Sequence, residues 1–261
     1  MDNIQAHNIH LGVGAFIHPT ASIRGVDGKA NSFTIGDYSY IGADVQIICE
    51  DFSLGDYGKI HHHTNIHGYR PCHIGHNAWI GQYTLIDSIG GVSIGDNCGI
   101  GAHSQLWSHI KFGDTLEGCR FHSEKPLVIG NDVWFVGHCI VSPIHAADRS
   151  MALVGSVITK DMEYNHIYAG SPAQSLSGKI GFQFEPQSLE VKLAKMELYL
   201  RESVVDASKI RIVSGVEEID FQDEYSTWFA VNERKYTKKL SEAEVTFMKY
   251  LLPEKAKFVP F

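Results

Sequence analysis

The feature that most limits what this chain can become is a step of six residues. Ile35, Ile41 and Ile47 are six apart; the step slips and resumes at Leu54, Ile60 and Ile66, then at Ile74, Ile80 and Ile86, then at Ile94, Ile100 and Leu106. After a longer gap it returns at Ile129, Phe135 and Val141, and last at Ala146, Ala152 and Ile158. A helix repeats near 3.6 residues and a strand at 2, so a sustained period of six belongs to neither alone. It marks a repeat architecture. The fourth residue after the first two anchors of each triad is small: Ser39 and Val45, Gly58 and Thr64, Ala78 and Thr84, Cys98 and Ser104, Val133 and Cys139, Ser150 and Ser156. A large apolar anchor facing a small residue suits the interior of a narrow prism. Each hexad then reads as a short parallel strand plus a corner, each triad as one coil, and the coils stack at the ~4.8 Å strand spacing. A ragged earlier coil is expected through Ile17 and Ile23.

Every slip falls after the third hexad, so all extra residues should leave the prism at one corner. The longest excursion, residues 112–128, interrupts an otherwise strict solenoid, and long insertions of this kind usually carry function.

Composition agrees with a two-part chain. All 15 His lie at or before His166, and 22 of the 25 Gly lie at or before Gly170, a density that disfavours long helices there. Charge is instead concentrated near the C-terminus. The expected division is a β-helix over residues 1–178 and a charge-rich α+β extension over 179–261. The net charge of −8 argues against nucleic acid as a partner. No apolar run approaches the ~20 residues of a membrane-spanning helix. The first residues lack the basic and apolar regions of a secretory signal, and the five Cys show no CxxC spacing, so a cytoplasmic location is expected.

Several segments go beyond the bare repeat: LWSH at 106–109, IGNDVWFV at 129–136, GSVITKD at 155–161 and YAGSPAQ at 168–174. Together with the hexads they resemble the hexapeptide-repeat acyltransferases over roughly residues 10–175. The resemblance implies a left-handed parallel β-helix, a homotrimer, and acetyl-coenzyme A lying between neighbouring prisms. It implies an O- or N-acetyltransferase acting on a sugar, nucleotide-linked sugars included, as in surface-polysaccharide biosynthesis. The acceptor would attack the thioester directly, with a histidine as general base. His109 matches the family's His segment and stands at the mouth of the insertion. A carboxylate should fix its tautomer, and Asp87, one coil earlier on the same side, is the first choice over Asp114 and Glu117. For coenzyme A the resemblance carries over Trp134, Gly137, Ser142, Gly155 and Lys160. His122, Arg120 and Tyr83 are candidates for acceptor contacts. Residues 142–154 depart from the family pattern, with two Ala anchors and no Gly before Gly155, so a thinner last coil is expected.

The histidines raise a rival reading, because a carbonic anhydrase class on the same fold holds its metal with interface histidines. The register aligns His63, Tyr83, His103 and His138 in one column. A metal shared there would make the protein a hydratase. A ladder of stacked rings is the alternative, and no metal ligand is assigned. Cys98 and Cys139 fall on inward small positions and read as core filling.

In the extension, Pro186 precedes a helical pattern through Leu189, Leu193, Met196 and Leu200. Residues 209–213, 216–221 and 226–231 read as strands, and Ser241-x-x-Glu244 as a capping box for a helix ending before Pro253. Two roles are open to it: capping the prism or supporting the oligomer, and reaching over to help bind the acceptor.

Overall fold

The computed structural model describes residues 3–261 of the chain. The chain divides into two compact units, Met1–Phe184 and Glu185–Phe261.

The first unit is a parallel β-helix with three faces. Ladders run from coil to coil in unbroken register: Ile74 pairs with Ile94 and Ile94 with Ile129 on the first face, Ile80 with Ile100 and Ile100 with Phe135 on the second, Ile86 with Leu106 and Leu106 with Val141 on the third. All eighteen anchors are buried, none more than 2 % exposed. Their small partners are buried as well. An added coil appears before the repeat: Leu11 pairs with Ile35, Ile17 with Ile41 and Ile23 with Ile47. The Ala146 and Ala152 coil keeps its register beneath Ile129 and Phe135, and Ile144, Met162 and Tyr168 supply the apolar bulk the two alanines lack.

Two corners repeat with the same backbone. Between the first and second faces, Tyr38, Tyr57, Asn77, Asn97, Asp132 and Arg149 take left-handed φ; between the second and third, Asp44, His63, Tyr83, His103 and His138 do so. Just ahead of the first of these corners runs a column of side-chain acceptors. Asp56 Oδ1 accepts the Asp37 N–H (2.8 Å), Asp96 Oδ1 the His76 N–H (2.7 Å), Asn131 Oδ1 the Asp96 N–H (2.8 Å) and Asp148 Oδ1 the Asn131 N–H (2.8 Å). Backbone donors turned out of the ladder are thereby satisfied.

The insertion is a β-hairpin, not an irregular loop. His109–Lys111 pairs antiparallel with His122–Glu124, so its arms begin before residue 112, while Leu127–Ile129 already belongs to the next coil. Residues 177–184 stay with the first unit: Gln183 Nε2 donates to the Asp132 carbonyl, and Asn165 bonds the Phe184 backbone in both directions.

The second unit is α+β. Helix Leu189–Glu202 starts on Ser188, whose Oγ accepts the Val191 N–H. Strands Ile210–Val213, Thr227–Ala230, Lys235–Tyr236 and Val259–Pro260 form a mixed sheet in that order. The Phe229 ring packs against Tyr236, Phe247 and Phe258 at 5.1–5.5 Å. Residues 216–221 do not form the expected strand; Val216–Glu218 is a 3-10 turn following Gly215. The apolar spacing of three between Val216 and Ile219 fits that turn better than a strand.

Ser241 Oγ accepts the Glu244 N–H, as a capping box requires, but Glu244 does not return the bond to Ser241. Its Oε2 takes the Lys239 and Leu240 N–H groups and the Thr227 hydroxyl instead, and its Oε1 is buried without a partner. Burial pushes the Glu244 carboxyl above its ordinary 4.5, while the bonds from Lys239, Thr227 and Leu240 pull it down. A carboxyl raised in the folded state contributes stability that is complete below the unfolded value and is lost as pH rises through the folded one. Amide-exchange protection of helix Glu242–Leu251 is therefore expected to be greater at pH 5 than at pH 8, and Glu244→Gln should flatten the difference. The same pH dependence in the Gln variant would show that another group is responsible.

Candidate active site

The site is built where the hairpin leaves the third face. Leu85–Asp87 is the third strand of its coil, in register with Asn65–His67 below and Gln105–Leu106 above. Asp87 follows the inward anchor Ile86 and would be solvated on an open face; here it is only 4 % exposed. The next coil brings Ser108 and His109 onto it. Asp87 Oδ2 accepts from the Ser108 N–H (2.8 Å), the Ser108 hydroxyl (2.9 Å) and His109 Nδ1 (2.7 Å). An ionised carboxylate only accepts, so the bond assigns the neutral ring's proton to Nδ1 and leaves the lone pair on Nε2. The His109 side chain keeps about a fifth of its surface exposed. A part-exposed imidazole with a free Nε2 and a buried carboxylate behind Nδ1 is equipped to take a proton and hold the resulting imidazolium.

Of the three carboxylates considered for His109, Asp87 is the one bonded to it. Asp114 turns to its own backbone, its Oδ1 accepting the Leu116 and Glu117 N–H groups at the exposed hairpin tip. The repeat pattern singles out neither Ser108 nor Gly90. Gly90 donates its N–H to Ser108 Oγ (2.8 Å), and a Cβ there would lie 2.3 Å from the Ser108 carbonyl oxygen and 2.5 Å from that of Lys125. Only glycine lets the 87–90 corner, the 108–109 segment and the base of the hairpin meet. The one sequence signal for Ser108 is its place two residues after the third anchor, matching Ser88 in the coil below.

The other candidates are dispersed over the prism. His122 and Arg120 are exposed on the hairpin, His122 opposite Lys111 rather than His109. Tyr83 stands at the corner between the second and third faces, apart from the corner His109 leaves. Trp134, 47 % exposed, lies on the second face over Gly99. Ser142 follows the third-face anchor Val141 and donates its N–H to the Ile158 carbonyl; Gly155 donates to Gly137 at the neighbouring corner; Lys160 is exposed. A Cβ at Gly155 would meet nothing within 4 Å.

The aligned histidines form a ring stack. His63 and Tyr83 lie 4.9 Å apart at 21°, Tyr83 and His103 5.1 Å at 5°, His103 and His138 4.8 Å at 14°. Imidazole lone pairs lie in the ring plane, so near-parallel rings send them side by side instead of toward a common ion. Among the described residues no group of three His, Cys, Asp or Glu is placed to hold a metal. Cys98 and Cys139 are buried in the core, and burial pushes the Cys139 thiol up, away from the reactive thiolate. No helix of the described residues is long and apolar enough to cross a membrane.

The body is thus a hexapeptide-repeat parallel β-helix, and sequence comparison relates it to acetyltransferases. It is 32 % identical over 106 residues to the galactoside O-acetyltransferase of Escherichia coli (strain K12), covering 39 % of this chain and 51 % of that protein. It is 22 % identical over 99 residues to a putative serine acetyltransferase of Schizosaccharomyces pombe (strain 972 / ATCC 24843), covering 38 % and 36 %. The chain therefore matches about half the length of the first relative and about a third of the second. Among solved structures it is similar to AntD, an N-acyltransferase from Bacillus cereus in complex with dTDP and 3-hydroxybutyryl-CoA, at TM-score 0.44 and 15 % identity over 74 % of this chain and 90 % of that one. No family profile matches the chain.

Proposed function

We propose that the β-helix transfers an acetyl group from acetyl-coenzyme A to a hydroxyl or amine of a sugar, with nucleotide-linked sugars of surface-polysaccharide biosynthesis among the acceptors, and that it works in the cytoplasm as a homotrimer. The observation that carries this reading is the 2.7 Å bond between His109 Nδ1 and the buried Asp87 carboxylate at the base of the hairpin. The relation to a galactoside O-acetyltransferase supports a sugar acceptor.

In the proposed reaction Nε2 of His109 takes the acceptor's proton as its oxygen or nitrogen attacks the thioester carbonyl. Asp87 stabilises the imidazolium without itself being protonated. Collapse of the tetrahedral intermediate breaks the C–S bond, and the departing thiolate takes the proton back from Nε2. Trp134, Gly137, Ser142, Gly155 and Lys160 are proposed to line the path of coenzyme A, and His122, Arg120 and Tyr83 to touch the acceptor. Since Tyr83 stands on another corner of its own prism, its part in this assignment requires a neighbouring copy.

The test is release of free coenzyme A from acetyl-coenzyme A with a panel of galactosides and nucleotide-linked amino sugars. Turnover with at least one acceptor is expected; hydrolysis alone across the panel counts against a sugar. The rival metal-dependent hydratase is disfavoured by the parallel ring stack. Elemental analysis of the purified protein is expected to find no stoichiometric zinc, iron or cobalt, and one metal per chain would restore that reading.

A further inference from the structure

Three groups converge on one oxygen of Asp87, and two of them belong to a single residue. Ser108 is fully buried, and both its N–H and its hydroxyl donate to Asp87 Oδ2 at 2.8 and 2.9 Å. The direction of the hydroxyl is dictated from its other side. Gly90 N–H can only donate, so Ser108 Oγ accepts there (2.8 Å) and its one proton is left for Asp87. His109, the next residue in the chain, completes the set through Nδ1 at 2.7 Å. The bonds form a one-way chain from the Gly90 amide through the Ser108 hydroxyl to the carboxylate, which in turn receives the imidazole N–H.

We propose that Ser108 is a positioning residue, which pins the Asp87 carboxylate so that the His109 ring is held in a single tautomer with Nε2 free. The inference deepens the acetyltransferase reading and rests on it for its consequence in turnover. A carboxylate held by His109 and one backbone N–H can still swing about its Cβ–Cγ bond, and a ring whose partner swings samples the tautomer with the proton on Nε2. That form cannot accept a proton from the acceptor. The hydroxyl bond from the same buried, backbone-anchored residue removes the freedom. Ser108 is fully buried and touches no reacting atom, so its influence on the ring runs through Asp87.

The test uses the whole 261-residue chain with isotope-labelled histidine, and His109→Gln identifies the His109 signals among the 15 His. In the wild type with neutral rings, the 15N shifts of His109 are expected to show the proton on Nδ1 alone. Ser108→Ala removes a single oxygen and should give a measurable Nε2–H fraction; Ser108→Cys, with its weaker donor, should fall between. With acetyl-coenzyme A and a methyl galactoside, kcat of Ser108→Ala should drop by about 10- to 100-fold, the size of effect that misplacing a reacting group brings, with KM for both substrates little changed. An unchanged His109 tautomer in Ser108→Ala overturns the proposal. A lowered melting temperature with the ring unchanged does so as well, because it leaves Ser108 a purely structural part. The ring signature needs no acceptor. If His109→Ala transfers acetyl as the wild type does, the acetyltransferase mechanism falls, while the positioning of the ring is still decided by the spectrum.

Discussion

His109→Ala is expected to lower kcat for acetyl transfer by ~10²–10⁴-fold, the usual worth of a positioned general base. KM for acetyl-coenzyme A should hardly change, because the imidazole acts on the acceptor's proton and not on the donor's nucleotide. The fold should survive. His109 lies outside the inward core, and its removal still leaves Asp87 Oδ2 with two donors from Ser108, so no buried charge is orphaned. Asp87→Asn should fail in a more specific way. The Asn oxygen has to take the place of Oδ2, where both Ser108 groups donate, so the ring keeps its Nδ1 proton but loses the negative charge that stabilises the imidazolium. Turnover by His109→Ala within about threefold of wild type would take the histidine out of the mechanism. Loss of activity together with loss of the folded far-ultraviolet spectrum would show that the residue is needed for folding instead.

The largest stability effect is expected at a glycine of the second face. A Cβ added at Gly101 would lie 2.0 Å from the carbonyl oxygen of Val136, 2.3 Å from its carbon and 2.6 Å from the Gly137 nitrogen. All three are backbone atoms of the next coil, to which Gly101 N–H is already bonded at the Phe135 carbonyl (2.7 Å). No rotamer relieves such a clash, and the coils must part at a point where the ladder is tight. Gly101→Ala should cost about 3 kcal/mol or more, at or beyond the upper end for overpacking a core. Gly178→Ala is the matched control, since a methyl there meets nothing within 4 Å. It should change stability by no more than about 1 kcal/mol, in the stabilising direction if helix propensity decides it. Denaturant unfolding measures both, and a Gly101→Ala protein as stable as the wild type would mean the stack is looser than its hydrogen bonds indicate.

The solenoid was legible because its constraint is one-dimensional. An anchor every six residues and a small residue opposite it are both demanded by the same narrow interior, and they recur until the pattern cannot be missed. Leu11 does not read as an anchor in the sequence because its strand, Ile4–Leu11, pairs across two faces and obscures the hexad. The column of acceptors from Asp56 to Asp148 is not legible because a polar residue at an outward corner is ordinary in any sequence; what unites these residues is reaching one backbone N–H. In the candidate site, the register places Asp87 and His109 on one side in successive coils, which makes Asp87 the first choice but leaves Asp114 and Glu117 open. That choice depends on which carboxylate is already engaged with its own turn. Ser108 was invisible for a similar reason, because a buried serine in a corner reads as a small filler until its partners are known. In the extension, Val216 to Phe221 alternates well enough to suggest a strand, yet Gly215 and the three-residue spacing to Ile219 make it a turn.

Two edges of the prism keep strict time. Their turns have a constant number of residues, and from the second coil onward one of them is in the left-handed region, so nothing can be inserted there without breaking the ladders on both adjoining faces. The third edge is exempt, and all variation in length has gathered on it. The protein is therefore a ruler with two graduated edges and one blank margin, and His109 is written at the border of that margin. Two inheritable quantities become separable: how many coils the rod contains, and what cassette the margin carries. A lineage of such proteins can exchange the cassette, and with it whatever the hairpin meets, while Asp87 and the Ser108 groups that hold it stay at the root of the margin.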